Sequence, residues 1–98
     1  MTVDLPKCEI VGNFAFRACN NISNIDLPKC KIIDNNAFGT CSNLTTINVS
    51  NCEFIGDSAF YSCSSLGPEI SFSKCSYIGA SAFCSCKELV NIDLPACT

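Results

Sequence analysis

The 98 residues bound the chain to one ordinary domain, and 48% hydrophobic against 15% charged residues excludes disorder. A net charge of −3 with no histidine excludes the basic footprint of a nucleic-acid binder, and with it any Ser–His or Cys–His nucleophile within one chain. No apolar run is long enough to span a membrane, and the opening Met1–Pro6 has neither the basic nor the apolar region of a signal peptide.

Reading from the N-terminus, the chain enters a pattern midway, at Val3-x-Leu5-Pro6-Lys7-Cys8, and continues through Val11-Gly12 to Ala15-Phe16 and Cys19. The pattern then repeats. Cys8, Cys19, Cys30, Cys41, Cys52, Cys63, Cys75, Cys86 and Cys97 are spaced by 11 residues, with a single gap of 12. Phe16, Phe38, Phe60 and Phe83 follow at 22, 22 and 23, each behind an alanine. The unit is therefore about 22 residues with one cysteine in each half, and a fixed period of this size is the signature of a solenoid. The chain divides into a partial repeat 1–21, repeats 22–43, 44–65 and 66–88, and a partial repeat 89–98, about four and a half in one domain.

Each unit opens on an apolar residue (Ile22, Leu44, Leu66, Leu89) and then alternates, as in Ile25-x-Leu27 and Ile47-x-Val49. Alternation predicts an extended segment with the apolar side chains on one side. Pro6, Pro28 and Pro95 end three of these segments, because proline cannot donate to a ladder. The third full repeat carries one extra residue within Leu66-Gly67-Pro68-Glu69-Ile70, which predicts a bulge or small loop. Gly12, Gly56 and Gly79 suit a corner, with Asp34 in their place in the second unit. After the corner, Asp57-Ser58-Ala59-Phe60 reads as a capped single helical turn. No unit buries its apolar side alone. Stacked units do, which predicts core columns containing Ile25, Ile47, Ile92, Phe38, Phe60 and Phe83.

Four blocks in register, Val11–Cys19, Ile33–Cys41, Ile55–Cys63 and Ile78–Cys86, resemble the BspA-like, or Treponema pallidum-type, leucine-rich repeats. The resemblance implies a curved, right-handed leucine-rich-repeat coil, with a parallel β-sheet on the concave face and short irregular or helical turns on the convex face. It also implies a cell-surface or extracellular setting, with adhesion and protein binding as the usual roles.

The periodic cysteines lie one strand spacing apart with parallel side chains, an arrangement suited to reduced core thiols and ill suited to disulfides. Cys84 alone is out of phase, matching Arg17, Gly39 and Tyr61, and is the expected exposed thiol. The 11-residue gap is not a zinc spacing, and the single glycine per unit forms no phosphate cradle. Asp4, Asp26 and Asp93 recur as repeat features and make no unique catalytic constellation, so the sequence predicts no enzyme, cofactor or metal site.

The candidate site is the outward side of the extended segments: Asp4, Asn24, Asp26, Thr46, Asn48, Ser71, Asn91 and Asp93 form a polar, mildly acidic column. Such a column serves a protein partner, a cation such as calcium, or nothing but solvation. Lys7, Lys29 and Lys74 follow three residues behind it. Asn21, Asn43 and Asn48 head glycosylation sequons, in a chain rich enough in Asn, Ser and Thr to hold them by chance. Two functions follow: a non-enzymatic protein-binding module, or a structural protein stacking on itself head to tail. The second draws on the two ends belonging to the same phase of the unit, with Leu5 and Leu94 at the apolar ends.

Overall fold

The computed structural model describes residues 2–67, 69–71, 74–89 and 91–93, with Thr2, Glu69, Ser71 and 91–93 described by their backbone alone. Among the described residues nine short strands run in chain order: β1 (Thr2–Asp4), β2 (Ile10–Val11), β3 (Asn24–Asp26), β4 (Ile32–Ile33), β5 (Thr46–Asn48), β6 (Phe54–Ile55), β7 (Glu69–Ser71), β8 (Tyr77–Ile78) and β9 (Asn91–Asp93). All pairing is parallel. β1-β3-β5 form one sheet, β2-β4-β6-β8 a second, and β7-β9 a third. Every pairing joins a strand to its equivalent one repeat on, as in Val3↔Ile25↔Ile47 and Val11↔Ile33↔Ile55, so every rung joins like positions of neighbouring coils.

The first sheet stands where the alternating segments predicted it, but it is interrupted. β5 and β7 do not pair, and the break coincides with the extra residue of the third full repeat. Gly67 takes φ 137 there, and a Cβ on it would sit 2.5 Å from the Glu88 carbonyl oxygen, so the site accepts no side chain.

The second sheet was not expected. Its strands are two residues long, with Val11, Ile33 and Ile55 buried and Ile78 half-buried behind them. The expected helical turn at Asp57–Phe60 is replaced by paired tight turns, and no helix occurs among the described residues. Phe14, Asn36, Ser58 and Ser81 take φ 56–59°, and four residues later Ala18, Thr40, Ser62 and Ser85 take φ 57–63°. Left-handed backbone costs a non-glycine residue roughly 1–2 kcal/mol. Hydrogen bonding compensates. N–H groups of Phe14, Phe16 and Ala18 reach the carbonyls of Asn35, Ala37 and Gly39 in the next coil at 3.1, 2.7 and 2.8 Å. The intervening N–H groups of Ala15, Arg17 and Cys19 bond three residues back instead. A helix would direct every N–H along its own chain and forfeit the bonds between coils.

Gly12, Gly56 and Gly79 do not adopt left-handed backbone, so they answer a different demand. The Oδ1 of Asn13, Asn35 and Asp57 accepts from the N–H of Asn35, Asp57 and Ala80 at 3.1, 2.8 and 2.9 Å, making a side-chain ladder along the solenoid. A Cβ on Gly56 would meet Asn35 N at 2.7 Å, and one on Gly79 would meet Asp57 N at 2.5 Å. Where Asp34 replaces glycine, its own carboxylate bonds the Asn35 N–H at 2.9 Å, and that rung of the ladder is the longest.

The core lies between the faces. Phe16, Phe38, Phe60 and Phe83 stack with centroids 5.2–5.3 Å apart and planes within 8°. Ile25, Leu27, Ile33, Leu44, Ile55 and Leu66 are buried beside them. Of the expected core residues, Ile25, Phe38 and Phe60 are buried; Ile47 and Phe83 are partly buried against the cluster. Ile92 lies in β9, with its side chain outside the described residues. The cysteines fill small spaces and also donate. Sγ of Cys41, Cys63 and Cys86 each reaches the phenylalanine carbonyl of the preceding coil at 3.0 Å. Cys30, Cys52 and Cys75 reach the carbonyls two residues ahead at 3.3, 3.2 and 3.0 Å. A small apolar side chain with a weak donor suits both demands, where alanine would leave the carbonyl without that contact.

Candidate functional site

The outward side chains of the first sheet come from the middle-strand alternation: Ile25 points in, so Asn24 and Asp26 point out. Register turns them into two rows, Thr2↔Asn24↔Thr46 and Asp4↔Asp26↔Asn48. Asp4, Thr46 and Asn48 are exposed, and Asn24 and Asp26 are half-buried. Asn48 Nδ2 donates to Asp26 Oδ1 at 2.7 Å, and Thr46 Oγ1 donates to Asn24 Oδ1. Asn24 Nδ2 in turn reaches Ser23 Oγ at 3.4 Å. The rows are thus tied along the solenoid axis by side chains as well as by backbone.

Ser71 pairs with Asp93 and Glu69 with Asn91 across β7-β9, so these four belong to a separate sheet beyond the break. The sequence expectation named Ser71, Asn91 and Asp93, whose side chains lie outside the described residues, and passed over Glu69 in the same strand as Ser71. The signal was there: Glu69 occupies the alternating position before Ile70, hidden by the inserted residue. Among the described residues no cluster of three or more ligating side chains is placed to hold a metal. Leu5 is half-buried, its N–H bonded to the Asp26 carbonyl at 3.1 Å; Leu94 lies outside the described residues.

A second outward surface escaped the sequence reading altogether. Ile10, Ile32, Phe54 and Tyr77 are register partners on the second sheet and face away from the core residues that follow them. Ile10, Phe54 and Tyr77 are 61, 36 and 47% exposed, three of the five large exposed apolar side chains among the described residues. The Phe54 and Tyr77 rings stack at 4.8 Å. Beside this row a shallow groove of about 390 Å³ is lined by Glu9, Lys29, Lys31, Asn51, Glu53 and Lys74. The signal available was an apolar or aromatic residue at the same phase in all four copies.

The thiols split by burial. Cys84 is exposed, as its odd phase predicted. Burial pushes Cys86 up to about 11 from the ordinary 9.0. Contact with the Cys41 thiol, and then burial, push Cys63 up as well.

Parallel strands in register every 22 or 23 residues, with like side chains stacked into columns, define a repeat solenoid. The BspA type leucine-rich repeat region model matches residues 2–98 in six copies, and the chain belongs to that family. It is a repeat of the protein-interaction kind. No curated protein and no solved structure matches the chain. No helix among the described residues is long and apolar enough to cross a membrane.

Proposed function

We propose that this chain is a non-enzymatic module that binds a protein through the outward rows of the first sheet, in a cell-surface, adhesive setting. The observation that carries the reading is the cross-strand bonding of those rows, Asn48 to Asp26 and Thr46 to Asn24. Binding groups that are already held on a rigid sheet lose little freedom when a partner arrives. Asp4 and Asp26 make the surface acidic, and Ser71, Asn91 and Asp93 extend it beyond the break, so the partner presents a polar to basic face. The coil is right-handed on the general rule for parallel crossovers, and the sheet face is its concave side.

A photo-crosslinking residue at position 48 tests this, read against the same group at position 84. The expected result is a discrete protein adduct at position 48, abolished by Asp26→Lys with the melting curve unchanged. Equal adducts at both positions, or an adduct insensitive to Asp26→Lys, overturns the reading.

A further inference from the structure

We propose that a second copy of this chain docks on the second sheet, face to face and with its repeats in reverse order, forming a two-fold dimer. This surface is distinct from the polar rows of the first sheet, and the inference stands or falls independently of them.

The row Ile10–Ile32–Phe54–Tyr77 aligns three exposed apolar side chains, Ile10, Phe54 and Tyr77, with the half-buried Ile32 between them, and aligned exposed apolar groups mark an interaction surface. The row beside it selects the occupant. Its members, one residue earlier in each repeat, are Glu9, Lys31, Glu53 and Ser76, so the charges alternate in sign from coil to coil. A partner whose repeats ran in the same order would set Lys31 against Lys31 and Glu53 against Glu53. A two-fold axis lying along the strands reverses the repeat order and keeps each row facing itself. With the axis midway between β4 and β6, Ile10 meets the partner's Tyr77, and Ile32 meets the partner's Phe54. Lys31 then meets the partner's Glu53, and Glu53 meets the partner's Lys31. The contact is isologous: each favourable meeting occurs twice and the assembly closes at two.

Neither Lys31 nor Glu53 forms an ion pair within the chain among the described residues, so both charges are available. Glu9 faces the neutral Ser76 of the other copy and lies near its Lys74, while Lys7 and Lys74 oppose each other only at the rim, where solvent screens them. An acidic peptide, the other occupant that the lysines suggest, would leave Glu9 and Glu53 facing like charge. The stripe spans three strand spacings, about 14 Å, which is small for an interface and places the contact among weak associations.

Sedimentation equilibrium of the full chain up to about 1 mM decides the matter. Wild type is expected to show a monomer–dimer equilibrium that goes no further. Lys31→Glu makes positions 31 and 53 both acidic, and Glu53→Lys makes both basic, so each variant alone should weaken self-association roughly tenfold. Mixed one to one, the two variants place opposite charges at both meetings, and association should return to within about threefold of wild type. Phe54→Ser should weaken every combination, and Asp26→Asn none. Recovery in the mixture also shows that both variants are folded. A wild-type chain monomeric at 1 mM, growth beyond dimer, or a mixture no better than either variant alone would overturn the proposal.

Discussion

The first and second sheets are built by one rule and finished by two. Both stack equivalent residues of neighbouring coils in parallel register, and both turn an aliphatic residue inward: Ile25 from β3, Ile33 from β4. Outward, they differ. The first sheet presents Asn24, Asp26, Thr46 and Asn48; the second presents Ile10, Ile32, Phe54 and Tyr77. Inward chemistry is imposed by burial, since each coil must cover its neighbour's apolar side. Outward chemistry is free of that demand, so a recurring choice there reflects something other than folding. A polar row is consistent with solvation and with binding. An apolar row costs solubility, and so points more strongly to a partner.

The largest expected effect tests inside against outside with one residue type. Phe60→Ala should cost about 3–5 kcal/mol in denaturant unfolding, because Phe60 is fully buried in the ring stack. Phe54→Ala should cost about 1 kcal/mol, well below Phe60→Ala, since Phe54 is 36% exposed on the second sheet and stacks on Tyr77. Similar losses from the two would erase the distinction between the faces.

Next come the glycines beside the second sheet. Gly56→Ala and Gly79→Ala should each cost roughly 1–3 kcal/mol, as the new Cβ would press on the backbone N of Asn35 or Asp57. Gly12→Ala should be nearly neutral or slightly stabilising, because nothing lies within 4 Å of its would-be Cβ. Melting temperatures of the three variants measure the contrast, and equal shifts would mean that the side-chain ladder does not set the glycine requirement.

The smallest effect is alkaline. Folded Cys86 keeps its proton until about 11, whereas the unfolded thiol releases it from about 9.0. Above pH 9 the unfolded state therefore binds fewer protons than the folded one, and stability falls as pH rises toward 11. The difference in melting temperature between wild type and Cys86→Val should narrow over that window and stay constant below pH 8. A difference that stays flat to pH 11 would show that Cys86 titrates normally in the fold.

The period, the inward columns and the polar rows were legible because each rests on a pattern longer than a single turn. Alternation in Ile25-x-Leu27 revealed the first sheet and the outward placement of Asn24 and Asp26. The second sheet was not legible, because a two-residue strand such as Phe54–Ile55 has no alternation to read. The left-handed turns were hidden for another reason. Phe14, Ala18 and Ser58 have no intrinsic preference for that backbone, which is held by N–H bonds to a coil 22 or 23 residues away. Expecting a capped helix at Asp57–Phe60 was sound local reasoning; the distant bonds outweighed it. The break between β5 and β7 was foreshadowed by Gly67-Pro68, though not its consequence that Ser71, Asn91 and Asp93 sit on a sheet of their own.

The bonds that tie Phe14, Phe16 and Ala18 to the following coil also determine how the molecule responds to tension. They run along the solenoid axis, as do the strand ladders, so a force drawing the two ends apart does not shear a whole sheet at once. It loads the outermost coil alone, bond after bond, as a zipper is opened. Each coil that yields releases 22 or 23 residues, roughly 75 Å of slack chain, before the next begins to bear load. Extension would thus proceed in even steps at modest force, and a half-opened chain would still carry closed coils with their outward rows intact.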